Sequence, residues 1–215
     1  MTLDEYVAWA AGVGARRYSQ APEGAELLEM ALGFAGEVGE VAGELAKWLR
    51  DDRPRWDQVV DELGDVAYYW ARLCGATGMA ASTLLARSRA HVEWRRVGRP
   101  AGGPAFTAGG MSLDEFAAWA LALHGAHSPD PSDERSVWAI GLAMAGDAGE
   151  VVECIRKLAR EGDASRERLA GELGDVWRYW TRLCLATGIR PADVLVRSRA
   201  KIEARLAQQP SPSQP

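Results

Sequence analysis

The chain matches itself at a shift of 110 residues, and that repeat limits the folds open to it more than any other feature. Leu3-Asp4-Glu5 returns as Leu113-Asp114-Glu115, and Trp9 as Trp119. Glu62-Leu63-Gly64-Asp65-Val66 returns as Glu172-Leu173-Gly174-Asp175-Val176. Tyr69 to Gly78 is matched by Tyr179 to Gly188, and Arg87-Ser88-Arg89-Ala90 by Arg197-Ser198-Arg199-Ala200, with no gap anywhere. Copy one spans residues 1–97 and copy two residues 112–207. Units of about 100 residues lie near the lower limit for an independent core, so each copy is expected to need the other to cover its apolar surface. Residues 98–111 are rich in glycine and proline and read as a flexible linker. Residues 208–215 are polar and proline-rich and read as a disordered tail.

Each copy reads as four helices, in copy one over residues 3–17, 25–50, 55–77 and 81–97, which makes the class all-α. In the second helix Leu28, Leu32, Ala35, Val38, Ala42, Leu45 and Leu49 follow the 3–4 spacing of a buried face. Breaks are expected at Pro22, Pro54 and Gly78, then at Pro129, Pro131, Gly162, Gly188 and Pro191. No segment of alternating β-branched residues stands out. The hydrophobic share of 47% suffices for a folded core. A net charge of −5 speaks against binding a nucleic acid polymer. Asp4 and Glu5 stand where a signal peptide would be basic, and no uncharged run of 18 residues predicts a membrane span. Three cysteines without close spacing, Cys74, Cys154 and Cys184, suit a reducing cytoplasm.

The chemistry is carried by acids at helical spacing. Glu37 and Glu40 share one helical face, as do Glu62 and Asp65 on the next helix; Asp147 with Glu150 and Glu172 with Asp175 repeat the pattern. A short turn around Pro54 sets the two helices antiparallel, so the pairs can face each other. Valines and leucines flank the acids, which points to partial burial. At 4 Å two unit charges repel by roughly 4 kcal/mol at an effective dielectric near 20, so such a cluster takes up protons or cations. All-oxygen ligands without histidine favour Mg²⁺, with Mn²⁺ as the alternative, over zinc. Residues Arg53–Asp61 and Asp163–Gly171 agree nowhere, while the five residues after each are identical, as though solvated positions had drifted and the acidic motif had not.

Gly36-Glu37-Val38-Gly39-Glu40-Val41 followed by Asp61-Glu62-Leu63-Gly64-Asp65-Val66 resembles the MazG-type all-α nucleoside triphosphate pyrophosphohydrolases. The resemblance covers residues 25–97 and 135–207. It implies two tandem MazG-like four-helix units packed as an intrachain pseudo-dimer, with a further homodimer of whole chains left open. It implies Mg²⁺-dependent cleavage of a nucleoside triphosphate to a monophosphate and pyrophosphate, by water attack at the α-phosphorus. The implied metal ligands are Glu37, Glu40, Glu62 and Asp65 in copy one, and Asp147, Glu150, Glu172 and Asp175 in copy two. Glu44 is the candidate to orient or deprotonate the water; Gly36 and Gly146 stand where the family often has a further acid, which leaves the general base open.

Copy two departs from copy one: Asp147 is one methylene shorter than Glu37, and Cys154 replaces Glu44 beside Glu153. Copy one is therefore expected to be the active set. Candidate substrate contacts are Lys47, Trp70, Arg87, Arg95, Lys201 and Arg205. Lys201 with Arg205 fits the family's basic pattern best, while copy one has His91 at the lysine's place, a weaker and pH-dependent cation. Trp70 and Trp180 either stack on a base or pack in the core. His124 and His127 read as helix-end residues. A di-iron bundle fits poorly, since no histidine follows a glutamate by three positions. The rival is a non-catalytic nucleotide-binding or structural helical protein.

Overall fold

The computed structural model describes residues 1–18, 24–104, 110–123, 133–161 and 165–208. These form eight helices: α1 (Leu3–Tyr18), α2 (Ala25–Asp51), α3 (Trp56–Thr77), α4 (Ala81–Arg96), α5 (Leu113–Ala122), α6 (Glu134–Glu161), α7 (Arg166–Ala186) and α8 (Pro191–Gln208). No strand occurs among the described residues, and no described helix is long and apolar enough to cross a membrane. Gln208 still belongs to α8, while residues 209–215 lie outside the described ones, as do His124, His127, Pro22, Pro129, Pro131, Gly162 and linker residues 105–109.

Local chemistry sets the helix ends in both copies. α5 opens on a capping box in which the Ser112 hydroxyl accepts from the Glu115 N–H and the Glu115 carboxylate accepts from the Ser112 N–H. Thr2 and Glu5 make the same exchange before α1. α3 stops at Gly78 (φ 66°), where Met79 N–H donates to the Cys74 carbonyl; Gly188 (φ 76°) and Ile189 with Cys184 repeat this closure after α7. α2 stops at Asp52 (φ 47°), with Pro54 just beyond, and the short turn lays α3 back along α2.

The two copies interleave. α2 packs on α6, while α8 packs on α3 and α4 on α7, so the last helix of each copy covers the third helix of the other. Reciprocal hydrogen bonds mark an approximate two-fold relation. Ser88 Oγ donates to the Gly174 carbonyl (3.1 Å) and Ser198 Oγ to that of Gly64 (2.7 Å). Trp70 Nε1 donates to the Leu173 carbonyl (3.0 Å) and Trp180 Nε1 to that of Leu63 (2.8 Å). The identical Glu-Leu-Gly-Asp-Val segment is thus held partly by packing: its glycine lets the crossing helix approach and its leucine carbonyl receives the partner tryptophan. A Cβ at Gly174 would meet Ser88 Cβ at 2.8 Å, against 3.3 Å between Gly64 and Ser198 Cβ. Gly174→Ala is therefore expected to cost about 1–3 kcal/mol in a urea titration, while at Gly64 the gain in helix propensity of about 1 kcal/mol offsets most of the strain.

The buried stripe of α2 differs from the sequence expectation. Met30, Ala31, Phe34, Val38, Val41, Leu45 and Trp48 face the core. Val38 and Leu45 belong to both stripes, but Leu28, Ala35 and Leu49 are exposed, Ala42 is half-buried, and Leu32 is 71% exposed. Two apolar stripes compete on this helix, and the one carrying the larger rings turns inward. Trp48 seats edge-on against Trp56 of α3 and Trp138 of α6, 4.7 and 5.5 Å between ring centres.

Candidate metal centre

α2 and α3 bring the copy-one acids together. Oxygens of Glu37, Glu40 and Glu62 lie within 4.8 Å of one another. Asp65, a turn beyond Glu62, is turned to Lys201 of α8, whose ammonium donates to it at 2.6 Å. The cation that pairs with Asp65 thus comes from copy two. Burial, then the charges of Asp65, Glu40 and Glu62, push the Glu37 carboxyl up to about 7, against the pull of Lys201. Burial, then Glu40 and Asp65, raise Glu62 as well. Oxygens around Mg²⁺ sit about 2.1 Å from the ion and about 3 Å from their neighbours, so small side-chain rotations bring these three into range. Hard carboxylate donors with uncompensated charge fit a divalent cation.

The raised Glu37 value gives a signed prediction. A carboxyl whose folded value lies above its ordinary 4.5 contributes stability that is fully present below that value and is lost as pH rises through about 7. Glu37→Gln is therefore expected to raise the melting temperature of the metal-free protein at about pH 8 and to leave it nearly unchanged at about pH 5. Thermal melts at the two pH values check this, and saturating Mg²⁺ is expected to remove the advantage of the variant at the higher one.

Glu44 is not one of the three gathered acids, although its charge still reaches Glu62. It is buried and held by Lys47 (2.5 Å) and Arg55 (2.5 Å), and the Lys47 hydrogen bond, against some desolvation, holds its carboxyl below the usual range. Two cations oppose proton uptake, so this geometry suits a strut between α2 and the start of α3 better than a base. The ammonium of Lys47 is directed to the same strut.

Copy two carries the corresponding acids, Asp147, Glu150, Glu172 and Asp175, without closing three of them into such a group, and cations of the chain pair with three of the four. Arg168, half-exposed on α7, pairs with Glu150 through Nη2 and with Glu172 through Nε at 3.4 Å. Asp175 receives Arg95 of α4 at 3.0 and 3.3 Å. Asp147 is pushed up to about 6, by burial and then by Asp175. Burial also raises Glu172, against the Arg168 hydrogen bond. Beside these acids lies a cleft of about 410 Å³ lined by Arg87, His91, Arg95 and Arg168 among others. Burial and then Arg95 lower the His91 pKa, so the imidazole is a poor cation here and Arg95, one turn on, takes the position that Lys201 has in copy one.

The other candidates fall as follows. Arg87 binds both oxygens of Glu167 at 2.7 Å. Arg205 is exposed near the end of α8. Trp70 is fully buried, stacked on Trp177 at 4.1 Å with its N–H taken by Leu173, so it packs the core and is closed to a base. Arg55 and Arg168 were not singled out in the sequence. The signal was there: Gln58 stands at the place of Arg168, four residues before the acidic motif, within the stretch read as drift. Comparison of the chain with protein-family models, with curated proteins and with solved structures finds no match.

Proposed function

We propose that the protein is a Mg²⁺-dependent nucleotide pyrophosphohydrolase built from tandem MazG-like units, cleaving (d)NTP to (d)NMP and pyrophosphate in the upkeep of the cytoplasmic nucleotide pool. The observation that carries the reading is the group of three carboxylates, Glu37, Glu40 and Glu62, which no cation of the chain pairs with among the described residues and one of which is pushed up to about 7. Mg²⁺ held there, or Mn²⁺ in its place, supplies charge neutralisation on the triphosphate and alignment of the attacking water. The chain's own part is to hold the cage. α2 and α3 fix the three glutamates, and Lys201 holds Asp65 oriented at its edge. Lys201 and Arg205 lie on the helix that crosses copy one, and in this reading they meet phosphate oxygens outside the cage.

One observation favours the non-catalytic reading: Glu44, the candidate base, is engaged by two cations. Water held by metal needs less help from a base, so turnover remains the better-supported reading. Incubation with Mg²⁺ and a panel of dNTPs, NTPs and dUTP, resolving pyrophosphate from orthophosphate, separates the two. The expected result is monophosphate plus pyrophosphate, abolished by chelator. Thermal stabilisation by nucleotide without product would establish the binder instead.

A further inference from the structure

The two copies differ at three positions that act together. In copy one Arg55 reaches back to Glu44, and position 58 is glutamine. In copy two the corresponding residues are Ser165, Cys154 and Arg168. The arginine stands one helical turn further along, toward the acids, and the glutamate it would have held is gone. From there its guanidinium lies between Glu150 and Glu172. Those two are the counterparts of Glu40 and Glu62, two of the three carboxylates gathered in copy one. Arg95 covers Asp175, the next acid in the row.

We infer that Arg168 is a built-in cation occupying the carboxylate cage of copy two in place of a divalent metal, so that the chain loads metal through copy one alone. The inference rests on the proposed reading of copy one as the metal centre. A carboxylate already in a charge-assisted bond to a guanidinium must break that bond before ligating, and an arriving dication meets a fixed positive charge at short range. Arginine stays protonated at any working pH, so acid or base does not lift the block. Cys154 offers no compensation, because burial raises its thiol and a neutral sulfur is a poor ligand for hard cations. The duplication thus yields one metal-loading copy and one that carries its own counter-ion. The second copy still serves the first, lending it Lys201.

Mn²⁺ titration followed by electron paramagnetic resonance tests this without reference to turnover. The parent chain is expected to bind Mn²⁺ in a manner lost in Glu62→Gln and kept in Glu172→Gln. Arg168→Gln, which installs the residue copy one already tolerates, is expected to add Mn²⁺ uptake that survives Glu62→Gln and disappears with Glu172→Gln. Arg168→Lys keeps the charge and is expected to match the parent. Uptake unchanged in Arg168→Gln overturns the inference, as does a gain in Arg168→Lys or parental binding that depends on Glu172. A parent that binds nothing beside an Arg168→Gln variant that binds through Glu172 would sink the proposed function and the loading of copy one, and leave standing only the block by Arg168. Parental binding through Glu62 with no gain in Arg168→Gln would do the reverse. If neither protein binds Mn²⁺, both fall. Circular dichroism melts confirm that each variant is folded, which the half-exposed setting of Arg168 favours.

Discussion

Glu62→Gln is expected to lower nucleotide turnover about a thousandfold, while Glu172→Gln leaves it within about threefold of the parent. Neutralising charge on a transferring phosphoryl group is worth several kcal/mol, and each 1.36 kcal/mol is a factor of ten, so losing one ligand of the cage removes about 4 kcal/mol of transition-state stabilisation. Glutamine keeps the length of the side chain and removes its charge, so a fall in rate reports ligation rather than lost packing. The asymmetry comes from Arg168: Glu172 already spends its charge on a guanidinium 3.4 Å away, whereas Glu62 meets Glu37 and Glu40. Steady-state rates of pyrophosphate release at saturating Mg²⁺ give the answer. Equal losses in both variants would mean that the two copies work together; loss in Glu172→Gln alone would move the site to copy two.

Trp177→Ala is expected to destabilise the fold by about 3–5 kcal/mol, a large part of the 5–15 kcal/mol that usually separates folded from unfolded chains. Its ring is fully buried between Trp70 and Trp180, with centroids 4.1 Å away on each side and interplanar angles of 28° and 16°. Trp70 belongs to copy one and Trp180 to copy two, so the stack is a shared core. Removing the middle ring leaves a cavity bounded by both copies, and the indole N–H lost with it has no hydrogen-bond partner among the described residues. Trp177→Phe is accordingly expected to recover much of the loss. Urea unfolding followed by far-ultraviolet circular dichroism measures both variants. A single transition is expected, because neither copy keeps its core without the other; two separate transitions would contradict the interleaved fold.

Much of the architecture was legible in the chain. The ungapped repeat, the proline and glycine breaks and the 3–4 periodicity placed the copy-one helix ends to within a residue or so. Helix α2 shows where periodicity runs out: its leucine stripe and its Phe34–Trp48 stripe are both regular, and only the facing rings of Trp56 and Trp138 decide between them. The meeting of Glu37, Glu40 and Glu62 was also legible, because helical spacing fixes which acids share a face. Their counter-ions were not. Lys201 and Arg95 arrive from the opposite copy through an exchange of last helices that no local pattern encodes. Arg168 was hidden for another reason: a substitution at one of nine unlike positions looks like drift until the structure puts its guanidinium among the acids. The identical pentapeptide carries both the acids of the candidate centre and the Leu-Gly of the helix crossing, and sequence alone does not separate the two.

Water attack on the α-phosphorus at the copy-one acids is the step on which the proposed function turns. Running the reaction in ¹⁸O-water with Mg²⁺ and the best substrate of the panel, then weighing the products by mass spectrometry, tests it in one step. One ¹⁸O is expected in the nucleoside monophosphate and none in pyrophosphate, with labelling slowed about a thousandfold in Glu62→Gln. Label in pyrophosphate or orthophosphate would contradict that step.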